Sequence, residues 1–388
     1  MSTDLVDLGK FMVRRQPTVN PALHPNEEFH LFSIPAYDSG VPDLAFGADI
    51  GSSKKAVEPG DVLLSRIVPH IRRAWVVPEC NGRRQIASSE WLVFRSAILC
   101  PRYLRHFLTS DPFHSQFMNT VAGVGGSLLR ARPDFVAKIQ IPLPPLEEQK
   151  RIAAILDKAD TIRHKRQEGA ALIHSLKRAA FCDMFGDARD NPHQWEMRTL
   201  GELCNHELRN GVSPSRSGDF VGYVLILSAI TGDRFDPTSV KEGTFAIPFT
   251  DSQLVNDNDF LICRGNGNID LVGKGAFPTQ SFEACVFPDT MIAASIDVDL
   301  IEKEFLEEVW RSAFVRRQLV TGARTTNGTH KVNQGVLEKV ALPVPPKKLQ
   351  QKYGQISKVC DSAYSKFLDD AADDLFNSLV QRAFRGKL

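Results

Sequence analysis

Residues 141–166, I-P-L-P-P-L-E-E-Q-K-R-I-A-A-I-L-D-K-A-D-T-I-R-H-K-R, decide how the rest of the chain is read. The stretch begins as a short apolar strand, stiffens at Pro142, Pro144 and Pro145, and runs on as a long amphipathic segment. Proline fixes φ and lacks an N–H, so it suits the first turn of a helix and not its interior. A helix therefore starts just after Pro145. Glu147 and Glu148 fall in its first turn, where carboxylates meet the positive end of the helix dipole. The pattern continues over residues 146–185, which at 1.5 Å per residue is ~60 Å of helix.

The same stretch occurs twice. Residues 342–366 read L-P-V-P-P-K-K-L-Q-Q-K-Y-G-Q-I-S-K-V-C-D-S-A-Y-S-K. One offset of 201 superposes Pro142 on Pro343, Pro144 on Pro345, Pro145 on Pro346 and Gln149 on Gln350, and carries Lys138 to Lys339. Further on the offset becomes 203, with Leu176 on Leu379 and Phe181 on Phe384. A tandem of two similar halves follows, and such internal repeats govern the whole fold. The segments are 1–141 and 191–342 as globular mixed α/β heads, and 142–190 and 343–388 as helices.

Each head reads as short strands punctuated by Gly, Pro, Asn and Ser, followed by one helix. In the first head the strands are Phe29–Ile34, Val62–Ile67 and Trp91–Phe94, and the helix is Arg102–Met118. In the second, Glu302–Leu319 answers that helix, and Leu200–Gly201 answers Leu8–Gly9. Apolar or small residues at Ile152, Ile155, Ala159, Ile162, Ile173, Leu176 and Ala180 approximate a heptad seam. Tyr353, Ile356, Cys360, Ala363, Phe367, Ala371, Leu375 and Leu379 supply a second seam, so the two helices are expected to pair.

The chain has 388 residues, 43% hydrophobic and 24% charged, as in an ordinary globular protein with room for two or three cores. No apolar run reaches the ~20 residues that span a bilayer, and the first residues lack the pattern of a signal peptide. Seven scattered cysteines with no C-x-x-C pair point to reduced thiols in the cytoplasm and away from a zinc site. The net charge of +1 is unevenly spread: residues 1–141 carry +3 and residues 191–342 carry −6. No head is a strongly basic block, so nucleic-acid binding would rest on local patches or on a second protein.

Catalytic motifs are missing. G-V-G-G (123–126) and R-G-N-G-N (264–268) do not fit a dinucleotide fingerprint, and neither a P-loop nor a D/N-P-P-Y methyltransferase motif is present. Loop cations beside small polar residues are more telling. They are Lys54, Lys55, Arg72, Arg73, Arg130 and Arg132 in the first head; Arg264, Asn266, Asn268, Arg324, Thr326, Asn327, His330 and Lys331 follow in the second. Arg can donate twice to guanine, Asn can pair with the adenine edge, and Lys reaches phosphates. Any single one of them also reads as a solvated surface charge. The two corners, Pro144, Pro145, Glu147, Glu148 and Gln149, and Pro345, Pro346 and Gln350, offer a surface for a partner protein, or simply start a helix.

The chain resembles the specificity subunits of type I restriction–modification systems. The resemblance is carried by I-P-L-P-P-L-E-E-Q-K-R-I-A-A-I-L-D-K-A-D (141–160), by the closing S-L-V-Q-R-A-F-R-G-K-L (378–388), by L-G-x-(L/F) at Leu8 and Leu200, and by P-G-D-V-L (59–63). In the second copy Lys347, Lys348 and Leu349 stand where the first has Leu146, Glu147 and Glu148. The resemblance implies two target recognition domains separated by a long antiparallel two-helix coiled coil. Each domain would read half of a bipartite, asymmetric site in double-stranded DNA. It further implies two methylation subunits that use S-adenosylmethionine, restriction subunits that use ATP and Mg2+, and no catalysis or cofactor in this chain. A two-headed protein-interaction scaffold that binds no DNA is the alternative.

Overall fold

The computed structural model describes residues 4–80, 82–123, 129–215, 218–326, 328–367 and 371–388. The chain divides into two compact units, Met1–Glu168 with Asp369–Leu388, and Gly169–Leu368. Each unit is a mixed α/β head joined to stretches of long helix, so both helical segments are shared out between the units.

In unit 1, strand β1 (Leu5–Asp7) is followed by the buried run β2 (Val62–Ser65) and by β3 (Trp91–Phe94), antiparallel to β2 with Leu63 opposite Val93. Helices α1 (Pro101–Thr109) and α2 (Asp111–Met118) come next. The hairpin β4 (Val121–Ala122) and β5 (Arg130–Ala131), the short helix α3 (Pro133–Val136) and β6 (Gln140–Pro142) lead into α4 (Leu146–Phe185). β1 closes on β6 with Val6 opposite Ile141, bringing the first residues of the head back to the proline corner. Leu8 and Gly9 donate to the carbonyls of Ile139 and Ala137. A Cβ on Gly9 would stand 3.0 Å from that of Ala137, which explains the glycine after Leu8.

Unit 2 repeats this order. Strand β7 (Met197–Thr199) precedes β8 (Asp259–Cys263), β9 (Gly265–Asn266) and β10 (Met291–Ser295). Helices α5 (Lys303–Trp310) and α6 (Ala313–Gly322), the hairpin β11 (Arg324–Thr326) and β12 (Thr329–Lys331), helix α7 (Gln334–Glu338) and β13 (Ala341–Pro343) follow. Helix α8 (Lys347–Phe367) leaves the second corner. β7 closes on β13 with Arg198 opposite Leu342, matching the first unit's register. The single helix read over Arg102–Met118 is in fact two, because Ser110 caps a fresh start and Pro112 cannot continue α1. Ser312 divides Glu302–Leu319 in the same way.

Helix α9 (Ala371–Phe384) returns to unit 1. There Phe376, Val380, Ala383 and Phe384 share one core with Ile152, Ala153 and Leu156 of α4. Arg151 donates to the Leu388 carbonyl at 2.9 Å and Arg163 lies 3.8 Å from Asp373, so α4 and α9 run antiparallel. In unit 2 the far end of α4 meets α8 in the same sense: Lys177 pairs with Asp361 at 3.2 Å, and the Phe181 and Phe185 rings abut Tyr353. The buried stripe of α4 departs from the heptad reading. Ile162 and Leu176 are exposed, whereas Asp160 and Ala170 lie on the covered face. A straight helix of 3.6 residues per turn drifts off a 3.5-residue seam. Gly169 sits where any Cβ would strike the Phe367 ring at 2.5 Å.

Candidate nucleic-acid interface

Strand order brings the candidate residues of unit 2 together. β9 follows β8 after the single residue Arg264, pairs with β12, and β12 pairs with β11. Asn266 stands opposite His330, Arg324 opposite Lys331, and Thr325 opposite His330. Gly265–Asn266, Arg324–Thr326 and Thr329–Lys331, some 60 positions apart in sequence, thus form one three-stranded platform. The Arg264 main chain anchors it, donating to Thr290 at 2.8 Å and accepting from Val332 at 2.9 Å. Its guanidinium donates to the Asp289 carbonyl at 3.2 Å. Asn266 and Asn268 each accept a main-chain N–H two residues on, at 2.9 Å, which shapes the loop. His330 Nδ1 lies 3.0 Å from the Thr325 hydroxyl. Asn327 and the Thr326 side chain lie outside the described residues.

In unit 1 the corresponding place is a two-stranded hairpin that Ile67 bridges at Arg130, and the occupants differ. Arg66 follows β2 as Arg264 follows β8; it donates its N–H to Glu90 at 3.0 Å and accepts from Ala131 at 2.8 Å. Arg66 was not among the residues expected from sequence, although S-R after V-L-L parallels C-R after F-L-I and could have revealed it. Arg66 and Arg130 share the Glu90 carboxylate at 2.9 and 3.4 Å. Burial pushes the Glu90 carboxyl up, but the two guanidiniums hold it below its ordinary value. Lys55 donates to the Trp91 carbonyl at 2.7 Å, and burial and then Arg66 hold its ammonium pKa below the ordinary lysine value. Lys54 turns onto Ser52. Arg132 lies 3.8 Å above the Phe135 ring.

Arg72 and Arg73 are not brought to this platform as candidates for nucleic acid. Arg72 pairs with Asp111 at 2.6 Å, and Arg73, 10% exposed, grips both oxygens of Asp38 at 3.0 and 2.9 Å. These pairs tie the loop 70–73 to neighbouring elements.

The corner residues need a firmer correction. Gln149 and Gln350 are 1% and 0% exposed, so neither side chain offers a surface to another protein. Gln149 accepts from the Cys100 N–H at 2.8 Å and donates to the carbonyls of Ile98 and Pro144 at 3.1 and 2.8 Å. Gln350 accepts from the Glu302 N–H at 2.8 Å and donates to Leu300 and Pro345 at 3.3 and 2.7 Å. Each amide reaches from the corner to the start of a helix in its head, because Cys100 and Glu302 are the N-cap residues of α1 and α5. Pro345 is buried as well. Glu147 and Glu148 pair within their own helix with Lys150 and Arg151, both at 2.7 Å. Pro145 and Pro346 are exposed, and Pro144 and Pro145 border a groove of about 740 Å³ with Ile98, Leu143 and Leu146.

Among the described residues no cluster of three or more His, Cys, Asp or Glu could hold a metal ion, and no helix is long and apolar enough to cross a membrane.

Residues 84–172 match the type I restriction modification DNA specificity domain. The chain is 23% identical over 305 residues to the type I restriction enzyme EcoKI specificity subunit of Escherichia coli K12, covering 74% of this chain and 65% of that one. It is 25% identical over 318 residues to the StySPI specificity subunit of Salmonella potsdam, covering 75% and 66%. The match therefore spans just under two thirds of each relative's length. Two solved structures share the fold. A chain of a type I R-M system, described in terms of complex assembly and conformational transition, aligns over 99% of this chain and 98% of its own at TM-score 0.53 and 21% identity. The type I restriction-modification S subunit from M. genitalium aligns over 99% and 96% at TM-score 0.55 and 13% identity. By this domain and these relatives, the chain is similar to type I restriction enzyme specificity subunits.

Proposed function

We propose that this chain is the sequence-specific DNA recognition subunit of a type I restriction–modification complex. Each head reads one half of a bipartite, asymmetric duplex target. The two helical segments act together as a coiled-coil spacer that sets the distance between the halves, and the exposed corners dock two methylation subunits. The chain itself catalyses nothing. S-adenosylmethionine serves the methylation subunits, and ATP and Mg2+ serve restriction subunits.

The observation that carries this reading is the twin platform. In both heads an arginine leaves the central strand, fixed by the same two main-chain hydrogen bonds, beside a cation of the following hairpin: Arg66 with Arg130, Arg264 with Lys331. Arginine and lysine on a strand edge can reach base edges and phosphates in the major groove. A rigid spacer suits the task because a register error of one base pair is only ~3.4 Å along the duplex.

Mapping N6-methyladenine in DNA from cells that carry this chain and a methylation subunit tests the proposal. A two-part methylated sequence is expected. Replacing residues 191–342 with another such head should alter one part alone; a change in both parts would refute independent readers.

A further inference from the structure

Resting on that DNA-reading role, we infer that unit 2 holds a separate track for the phosphate backbone, beside its platform and distinct from it. The track is a groove of about 640 Å³ between the C-terminal end of α6 and helix α7, with Arg317, Arg324 and Lys339 on its walls. No carboxylate lines it. All three cations are exposed, and among the described residues none of them makes an ion pair. Their freedom contrasts with the rest of the unit, which carries −6 over residues 191–342. Arg209, Arg234, Lys303, Arg316, Lys347 and Lys358 each lie within 4.0 Å of an Asp or Glu oxygen. Acid is plentiful in this head, yet none of it lines this groove.

Glu338, next to Lys339 in the chain, lays its stem over Gly201 instead, where a Cβ would meet it at 3.4 Å. Gln318, at the groove's edge, is locked by two hydrogen bonds to the main chain of Ala341, at 2.8 and 2.9 Å, so the wall is rigid. Arg324 belongs both to the groove and to the platform, which makes the two surfaces continuous. Cations without counter-ions in a fixed, acid-free groove suit an evenly spaced polyanion, and contacts of this kind carry no sequence preference.

The test uses the full chain with Arg317→Ala and Lys339→Ala together, which leaves the platform residues untouched. Binding to several unrelated duplexes is followed by fluorescence anisotropy from 50 to 200 mM salt. The slope of log affinity against log salt should fall by about 2, and affinity should drop roughly tenfold near 0.1 M salt by the same factor on every duplex. Arg317→Lys with Lys339→Arg should restore both. An unchanged slope, or a loss confined to one sequence, overturns the phosphate track while leaving DNA reading intact. A wild-type chain that binds no duplex at any salt, alone or with a methylation subunit, overturns the DNA-reading role itself and the track with it. Thermal melting of the double variant should match wild type, since both side chains are exposed.

Discussion

Unit 1 carries a surplus of positive charge and unit 2 a deficit, yet the cations at the matched hairpin positions run the other way: Arg130 is claimed by Glu90, and Lys331 by no carboxylate among the described residues. In unit 1 Arg66, Arg72, Arg73 and Arg130 are each bound to a carboxylate. In unit 2 Arg317, Arg324, Lys331 and Lys339 have none among the described residues, although the head around them is acidic. Net charge therefore says little about which head can engage a polyanion. What counts is whether a local carboxylate has already claimed the guanidinium. The two heads share the register of their closing strands and the glutamine clasp, so the contrast at the matched hairpin positions is one of neighbouring side chains.

Four experiments would break or sharpen this comparison. The largest effect is expected where the units are alike: Gln149→Ala and Gln350→Ala each strand buried main-chain donors and acceptors. Each should destabilise its own unit by about 3 kcal/mol, measured by urea unfolding. Clearly unequal losses would undo the equivalence of the two corners. Next, Arg324→Ala should lower duplex affinity about tenfold, or ~1.4 kcal/mol, whereas Arg72→Ala should change it less than about threefold. Comparable losses at the two sites would erase the distinction between free and claimed cations.

Glu90→Gln comes third. It releases Arg66 and Arg130, so unit 1 should approach unit 2 in behaviour, with affinity for random duplex rising about threefold in anisotropy titrations and a steeper salt dependence. Unaltered affinity would mean that Glu90 does not restrain them. The smallest effect concerns pH. The Glu90 carboxyl is depressed in the folded state, so its contribution is complete above the ordinary value of 4.5 and disappears as pH falls through the lowered one. Its partly exposed pairs are worth at most ~1 kcal/mol. Glu90→Gln should therefore lose slightly less stability than wild type between pH 5 and 3 (roughly that window), and parallel acid-unfolding curves would remove Glu90 from the account.

Much of the fold could be read without coordinates because it is written in local stereochemistry. Three prolines at fixed spacing mark the start of α4, and a continuous amphipathic run gives its extent, Leu146–Phe185. The platform of unit 2 was legible as two groups of Arg, Asn, His and Lys, though not that strand pairing would join them. Other features depend on partners far along the chain. Gln149 sits between Glu148 and Lys150 in a first turn and reads as exposed; only the main chain of residues 98–100, some 49 positions upstream, makes it buried. Arg73 reads as free until Asp38 closes on it from 35 positions away. The seam through Ile162 and Leu176 failed because the covered face of α4 tolerates Asp160 and Lys177, whose charges are answered by Arg105 and Asp361.

The hydrogen bonds of the buried glutamines to their heads all go to peptide groups. Residues 98 and 100 are Ile and Cys in one copy, and 300 and 302 are Leu and Glu in the other, yet the clasp is identical. A fastening indifferent to side-chain identity places no restriction on what a head is made of. Either head can change the side chains around its clasp without any redesign of the joint.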